Sequence, residues 1–68
     1  MDKNIYLMLN TQIQKEFESA YLYLSIASYF DSLNLKGFSN WFKIQASEEE
    51  EHAMRFYDFL MKNNQKIN

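Results

Sequence analysis

The 68-residue sequence contains no cysteine, no proline and a single glycine. Without cysteine the chain has neither disulfides nor thiolate metal ligands, so a domain of this size needs a metal, a partner chain or regular helix packing for stability. Without proline, and with Gly37 as the one glycine, the chain is short of residues for tight turns, which argues against several short strands. A composition of 47% hydrophobic and 18% aromatic residues excludes a disordered chain. We therefore expect one all-α domain over residues 1–68.

The charge pattern and the lack of long apolar runs exclude two classes of partner. The seven basic residues are scattered singly in a chain of net charge −2, which removes the electrostatic basis for nucleic-acid binding. No apolar run approaches the roughly 18 residues that a membrane-spanning helix needs, and residues 1–12 do not resemble a signal peptide. The sequence predicts no membrane partner and a cytoplasmic location.

Helix-breaking residues gather in one segment, DSLNLKG, at residues 31–37. Asn34 tolerates a left-handed backbone conformation, and Asp2 is a good N-cap residue for a helix that follows it. We predict one helix over about residues 4–33 and a second over about residues 37–63, joined as an antiparallel hairpin, with a tail that frays.

Apolar side chains recur at steps of three, four or seven residues in both predicted helices. The stripe of the first helix contains Ile5, Leu9, Ile13, Ala20, Tyr23, Ala27 and Phe30, and a second stripe contains Met8, Leu22, Ile26, Tyr29 and Leu33. The stripe of the second helix, expected to be core, contains Phe38, Phe42, Gln45, Phe56, Phe59 and Leu60. A helix with two apolar stripes requires two neighbours, so we expect the hairpin to self-associate into a dimer or a higher even oligomer.

Three ionisable residues interrupt these apolar stripes: Glu16 on the first helix, and Glu49 and His52 on the second. Residues three apart project from the same helix face, so Glu49 and His52 can reach one metal ion while Glu16 approaches from the other helix. Two carboxylates and one imidazole suit iron or manganese better than structural zinc. The structural alternative remains open, because a boundary glutamate and a chance Glu-x-x-His pair are both common. Glu48 lies at the margin of the stripe.

Residues 9–60 resemble the first two helices of bacterial non-haem ferritins. The resemblance is carried by a Glu followed by SAYLYL, by the connection DSLNLKGF, and by QASEEEEHAMRF with its Glu-x-x-His. It implies a ferritin-like four-helix bundle, a di-iron site and oxidation of Fe(II) by O₂, in iron storage or detoxification. Haem-binding relatives have a methionine directly after the motif glutamate, where this chain has Glu50, so the resemblance implies no haem.

The resemblance also implies individual roles for five residues. Glu16 corresponds to a terminal ligand of one iron, Glu49 to the bridge between two irons, and His52 to the residue that completes the first site. Tyr23 corresponds to a tyrosine beside the di-iron centre, and Glu48 to a contributor to an accessory third iron site.

Family subunits are more than twice this long and form a complete four-helix bundle, whereas this chain corresponds to half of one. Three hypotheses follow. Two hairpins pair and complete a di-iron site, since such bundles use a Glu from two helices and a Glu-x-x-His from two others. Alternatively, the hairpin is a structural interaction module without iron chemistry, or it is a fragment of a longer ferritin.

Overall fold

The computed structural model describes residues 2–67 and consists of two antiparallel helices, α1 (Lys3–Ser32) and α2 (Lys36–Lys62). They form a rod with extents of 47 × 15 × 13 Å. The predicted all-α hairpin is confirmed, and the predicted helix bounds are correct to one residue. The predicted domain covers residues 1–68, and its two end residues, 1 and 68, lie outside the described residues. No helix within residues 2–67 combines the length and the apolar character needed to cross a membrane.

The two helices begin differently. The Oδ1 atom of Asp2 accepts hydrogen bonds from the backbone N–H groups of Asn4 at 2.7 Å and Ile5 at 3.3 Å, which confirms the predicted N-cap. By contrast, Leu35 at the start of α2 provides no side-chain hydrogen bond. The beginning of α2 is therefore fixed mainly by the loop that precedes it.

That loop reverses the chain through a left-handed residue at the end of α1. Asn34 has φ 59°, as its predicted tolerance requires. Its N–H donates to the carbonyl of Asp31 at 3.0 Å, and the N–H of Leu35 donates to the carbonyl of Phe30 at 2.9 Å. This is the hydrogen-bond pattern of a Schellman motif. Gly37, in contrast, lies inside the first turn of α2 without a positive φ, so the turn does not depend on glycine.

The same motif ends α2, and it corrects the expectation that the tail frays. Asn64 has φ 58°, and the N–H of Gln65 donates to the carbonyl of Leu60 at 2.9 Å. The Tyr6 hydroxyl then donates to the backbone carbonyl of Lys66. These bonds hold the segment after α2 against the beginning of α1.

The contact between the helices is built mostly from small residues spaced seven apart, with Ile13 and Leu60 as its two large members. In α1 the buried residues are Ile13, Ala20 and Ala27, and in α2 they are Ser39, Ala46, Ala53 and Leu60. We call these seven residues the seam. All four alanines of the sequence belong to it. Seven-residue spacing keeps one line of a helix against its partner, and small side chains let the backbones approach closely.

The seam corrects the interpretation of the stripe in the second helix as core for two members of that stripe, whereas its Leu60 is buried. Phe38 is 59% exposed and Phe59 is 48% exposed, although both were assigned to that stripe. Ile5 of the first stripe is 47% exposed. A hairpin has one internal contact line, so each helix buries only the narrow side that faces the other. Other aromatic residues beside the seam are half-buried, and Phe56 packs against the core.

Candidate metal centre

The three predicted ligand residues meet near the middle of the hairpin. The Nδ1 atom of His52 lies 3.6 Å from Oε2 of Glu16 and 3.8 Å from Oε1 of Glu49. One ligand atom from each residue lies within 4.8 Å of the other two. The structure thus brings together two carboxylates and one imidazole contributed by both helices.

The seam explains why these side chains converge. Glu16 lies one turn before Ala20 in α1, and Glu49 lies almost one turn after Ala46 in α2. Both glutamates therefore flank the line of closest helix approach. His52, three residues after Glu49, projects from the same face of α2.

The pKa values of the neighbouring Glu16 and Glu49 carboxylates are shifted in opposite directions. A hydrogen bond shared with Glu16 raises the pKa of Glu49, as do partial burial and the negative charges of Glu16 and Glu48. The pKa of Glu16 is lowered, because it accepts hydrogen bonds from Glu49 and Gln12 and lies near His52. These opposite shifts reflect the repulsion between two neighbouring negative charges, which a bound cation would relieve.

One contributor to the site was missed by the sequence analysis. The Nε2 atom of Gln12 donates a hydrogen bond to Oε1 of Glu16 at 2.9 Å. The signal was available, because residues four apart on a helix are neighbours and Gln–acid pairs form at that spacing. It was overlooked because Gln12 carries no charge.

The distances from His52 to the two carboxylates are compatible with a divalent metal ion. Two ligand atoms at about 2.1 Å from one ion are separated by about 3.0 to 4.2 Å, depending on the angle between them. The distances from His52 to the two carboxylates fall in that range, at 3.6 and 3.8 Å. The surfaces of the Glu16, Glu49 and His52 side chains are 12%, 23% and 45% exposed. An ion held there would keep open coordination positions on the side that faces away from the hairpin.

Tyr23 and Glu48 lie outside this group of three. The Tyr23 ring is half-buried, with its centroid 6.1 Å from that of Phe42, at the edge of an aromatic cluster near the loop. Stacked and edge-to-face contacts extend this cluster to Tyr29, Phe30, Phe38 and Trp41. Glu48 is exposed, and its negative charge raises the pKa of Glu49.

Comparison with known sequences identifies related proteins. The sequence profile of the ferritin-like domain family matches residues 6–68. A bacterial non-heme ferritin of Staphylococcus aureus is 35% identical over 60 residues, which are 88% of this chain and 36% of that protein. The corresponding protein of Staphylococcus haemolyticus is 33% identical over the same shares. This chain therefore spans about a third of the length of these relatives.

Solved structures share the geometry as well as the sequence. An open pore ferritin from the archaeon Archaeoglobus fulgidus is 48% identical, with a TM-score of 0.93. A humanized archaeal ferritin is 50% identical, with a TM-score of 0.95. In both, the whole of this chain is covered, but only 42% of the other chain. The hairpin thus has the conformation that the corresponding helices have in longer chains.

Proposed function

Because the chain belongs to the ferritin-like domain family, we propose that it binds Fe(II) as a substrate and oxidises it with O₂. Glu16, Glu49 and His52 are the proposed ligands. The observation that carries the proposal is their convergence within 4.8 Å, from two helices, on a face that the hairpin itself leaves open. The pair of carboxylates offers two negative charges, which match one divalent cation. The predicted cytoplasmic location stays a prediction.

A second hairpin completes the proposed site. Di-iron carboxylate bundles use a Glu from each of two helices and a Glu-x-x-His from each of the other two, and one hairpin supplies half of that set. We call the side of the hairpin that carries His52, Trp41 and Phe59 the open face. Two hairpins that pair through their open faces would form a four-helix bundle in which Glu49 from each copy bridges two irons. Many large hydrophobic side chains are exposed in the described chain, and those on the open face, such as Trp41 and Phe59, would be covered by such pairing. We therefore propose a dimer or a higher even oligomer.

Pairing also makes the redox chemistry balance. Two Fe(II) ions supply two electrons, and one O₂ takes up those electrons with two protons to give hydrogen peroxide and two Fe(III) ions. Carboxylate oxygens are hard ligands, which favour the more highly charged Fe(III). The role of the protein is to hold two irons about 3.5 to 4 Å apart. Tyr23 is proposed to lie beside the paired site, and Glu48 to contribute to an accessory iron site. No residue is proposed for haem.

Oxidation is tested by stopped-flow absorbance after Fe(II), protein and air are mixed. We expect absorbance to rise faster than in buffer, and to saturate at about two irons per dimer. Glu49→Ala should abolish the acceleration. Glu51→Ala is the matched control, because Glu51 is an exposed carboxylate of the same run that lies outside the group of three. A wild-type rate equal to autoxidation in buffer would overturn the proposal.

Metal-dependent stability tests the site independently of oxidation. Thermal melts under anaerobic conditions should show a higher midpoint with Fe(II) or Mn(II), because the cation relieves the crowding of Glu16 and Glu49. Glu49→Gln should raise the midpoint of the metal-free protein and remove its response to metal. An unchanged response in that variant would show that Glu49 is not a ligand.

The second candidate function is a helical interaction module without iron chemistry. It is favoured by the extent of the exposed apolar surface, which includes Trp41 and Phe59 on the open face at 55% and 48% exposed. If dimers form at micromolar concentration while Fe(II) neither binds nor is oxidised, this second function replaces the first.

A further inference from the structure

We infer that Gln12 is a positioning residue that fixes Glu16 as a one-oxygen metal ligand. The inference rests on the proposed function, because it concerns a ligand of that same centre. It adds a residue outside the three ligands and specifies how one of those ligands binds. The juxtaposition that carries it is the hydrogen bond from Nε2 of Gln12 to Oε1 of Glu16 at 2.9 Å.

This hydrogen bond divides the two oxygens of Glu16 between two tasks. Oε1 accepts from the amide of Gln12, whereas Oε2 is the atom 3.6 Å from Nδ1 of His52. An oxygen engaged by an amide donor is directed toward that donor, so Oε2 remains for the ion. Since the Glu16 side chain is only 12% exposed, little water competes for Oε1. The carboxylate is thereby presented in one orientation before metal arrives.

The donor Gln12 is neutral, so the carboxylate of Glu16 keeps its negative charge for a cation. Asp31 shows the opposite arrangement, because its two oxygens lie 3.1 Å from Nζ of Lys36 and 3.2 Å from Nζ of Lys43. The lysine charges there leave no net attraction for a metal ion. Gln12 instead orients Glu16 without cancelling its charge. A neutral amide is thus expected where a residue orients a metal ligand, whereas a lysine would neutralise that ligand as a metal ion does.

The test is a titration of the full chain with Co(II), whose visible absorption reports the ligand geometry and which air does not oxidise under these conditions. Gln12→Met keeps the length and flexibility of the side chain but removes the N–H donor. Loss of a hydrogen bond to a ligand typically weakens metal binding by about 10–100-fold. We expect a loss of that size, together with an altered absorption band, because both oxygens of Glu16 become free to bind. Far-UV circular dichroism verifies that the helices are retained.

Gln14→Met is the matched control. Gln14 has the same side chain on the same helix but is exposed, and it lies about 160° around the helix axis from Gln12 toward the opposite side of the hairpin. The Co(II) affinity and the absorption spectrum of the Gln14→Met variant should equal those of the wild type. A wild-type spectrum in Gln12→Met, or an equal loss of affinity in Gln14→Met, would overturn the inference while leaving the proposed function intact. Failure of the wild-type chain to bind Co(II) would overturn both.

Discussion

The seam and the open face beside it use opposite kinds of side chain. The seam buries alanine and serine, so that Ala27, Ser39 and Ala53 have at most 1% of their surface exposed. The open face carries large rings, and Phe38 and Trp41 remain more than half exposed there. Thus the hairpin uses mostly small residues, together with Ile13 and Leu60, for its internal contact, and it keeps Phe38 and Trp41 on a surface that it cannot cover alone.

This difference has an energetic consequence. Burial of apolar surface contributes about 25 cal/mol per Å², so an alanine seam contributes little per residue compared with a core of Phe and Leu. The larger gain is available only when the open face is covered. The seam therefore sets the shape of the hairpin, and the open face provides most of the apolar area for association.

Enlarging a seam residue is expected to have the largest effect. Ala53 is fully buried, so Ala53→Leu forces the helices apart and should lower the free energy of unfolding by about 1–3 kcal/mol or more. Ser47→Leu introduces the same side chain at an exposed position of α2 and should change the free energy of unfolding by less than about 0.5 kcal/mol. Urea unfolding followed by circular dichroism measures both. Equal effects of the two variants would show that the seam is not a close contact.

Removing a ring from the open face should weaken association rather than the hairpin. Phe59 lies two turns after His52 on the same face, and its full burial in a dimer would contribute about 1.5–3 kcal/mol. Phe59→Ser should therefore raise the dimer dissociation constant about tenfold or more, as measured by sedimentation equilibrium.

Tyr21→Ser provides the control for this prediction. Tyr21 is 77% exposed but lies about 140° around α1 from Glu16. Its substitution should leave the dissociation constant of a dimer formed through the open face unchanged. If Tyr21→Ser dissociates the dimer and Phe59→Ser does not, then the hairpins pair through the other side.

A smaller effect is expected at the loop, where Asn34 has a positive φ and Gly37 does not. An added Cβ at Gly37 would have no neighbour within 4 Å, so Gly37→Ala should stabilise the protein by about 0.5–1 kcal/mol. Asn34 has φ 59°, so Asn34→Ala should destabilise it by about 1 kcal/mol. Thermal unfolding measures both. Opposite signs are the essential result, since equal signs would contradict the assignment of the turn to Asn34.

The smallest expected effect is the pH response of Asp31 near the loop. The Ser39 hydroxyl, together with Lys36 and Lys43, lowers the pKa of Asp31 from 3.8 to about 2, although Ser39 Oγ does not reach full hydrogen-bond geometry with any described residue. Because the pKa is lower in the folded state, this stabilisation is complete above about pH 4 and is lost as the pH falls toward 2. The difference in melting temperature between wild type and Asp31→Asn should shrink over that interval. A difference that stays constant would contradict the assignment.

Much of the candidate centre could be predicted from the sequence because its signals are local. Glu49 and His52 are three residues apart, and Glu16 interrupts an apolar stripe. Gln12 was overlooked because it carries no charge and belongs to neither apolar stripe. The turn was located correctly, and so was the left-handed residue Asn34, whereas Gly37 has no positive φ although it was counted among the helix-breaking residues.

The sequence by itself determined two long helices, the capping of the first helix by Asp2, the reversal near Asn34 and the residue types available for a metal. These depend on steric and hydrogen-bonding preferences within a few residues of the chain. Only the tertiary structure decided which side of each helix is buried, because two apolar stripes compete for one internal contact and the closest approach favours small side chains. The same packing decided that Glu16 meets Glu49 and His52, since a contact across two helices depends on their register, which no local pattern specifies.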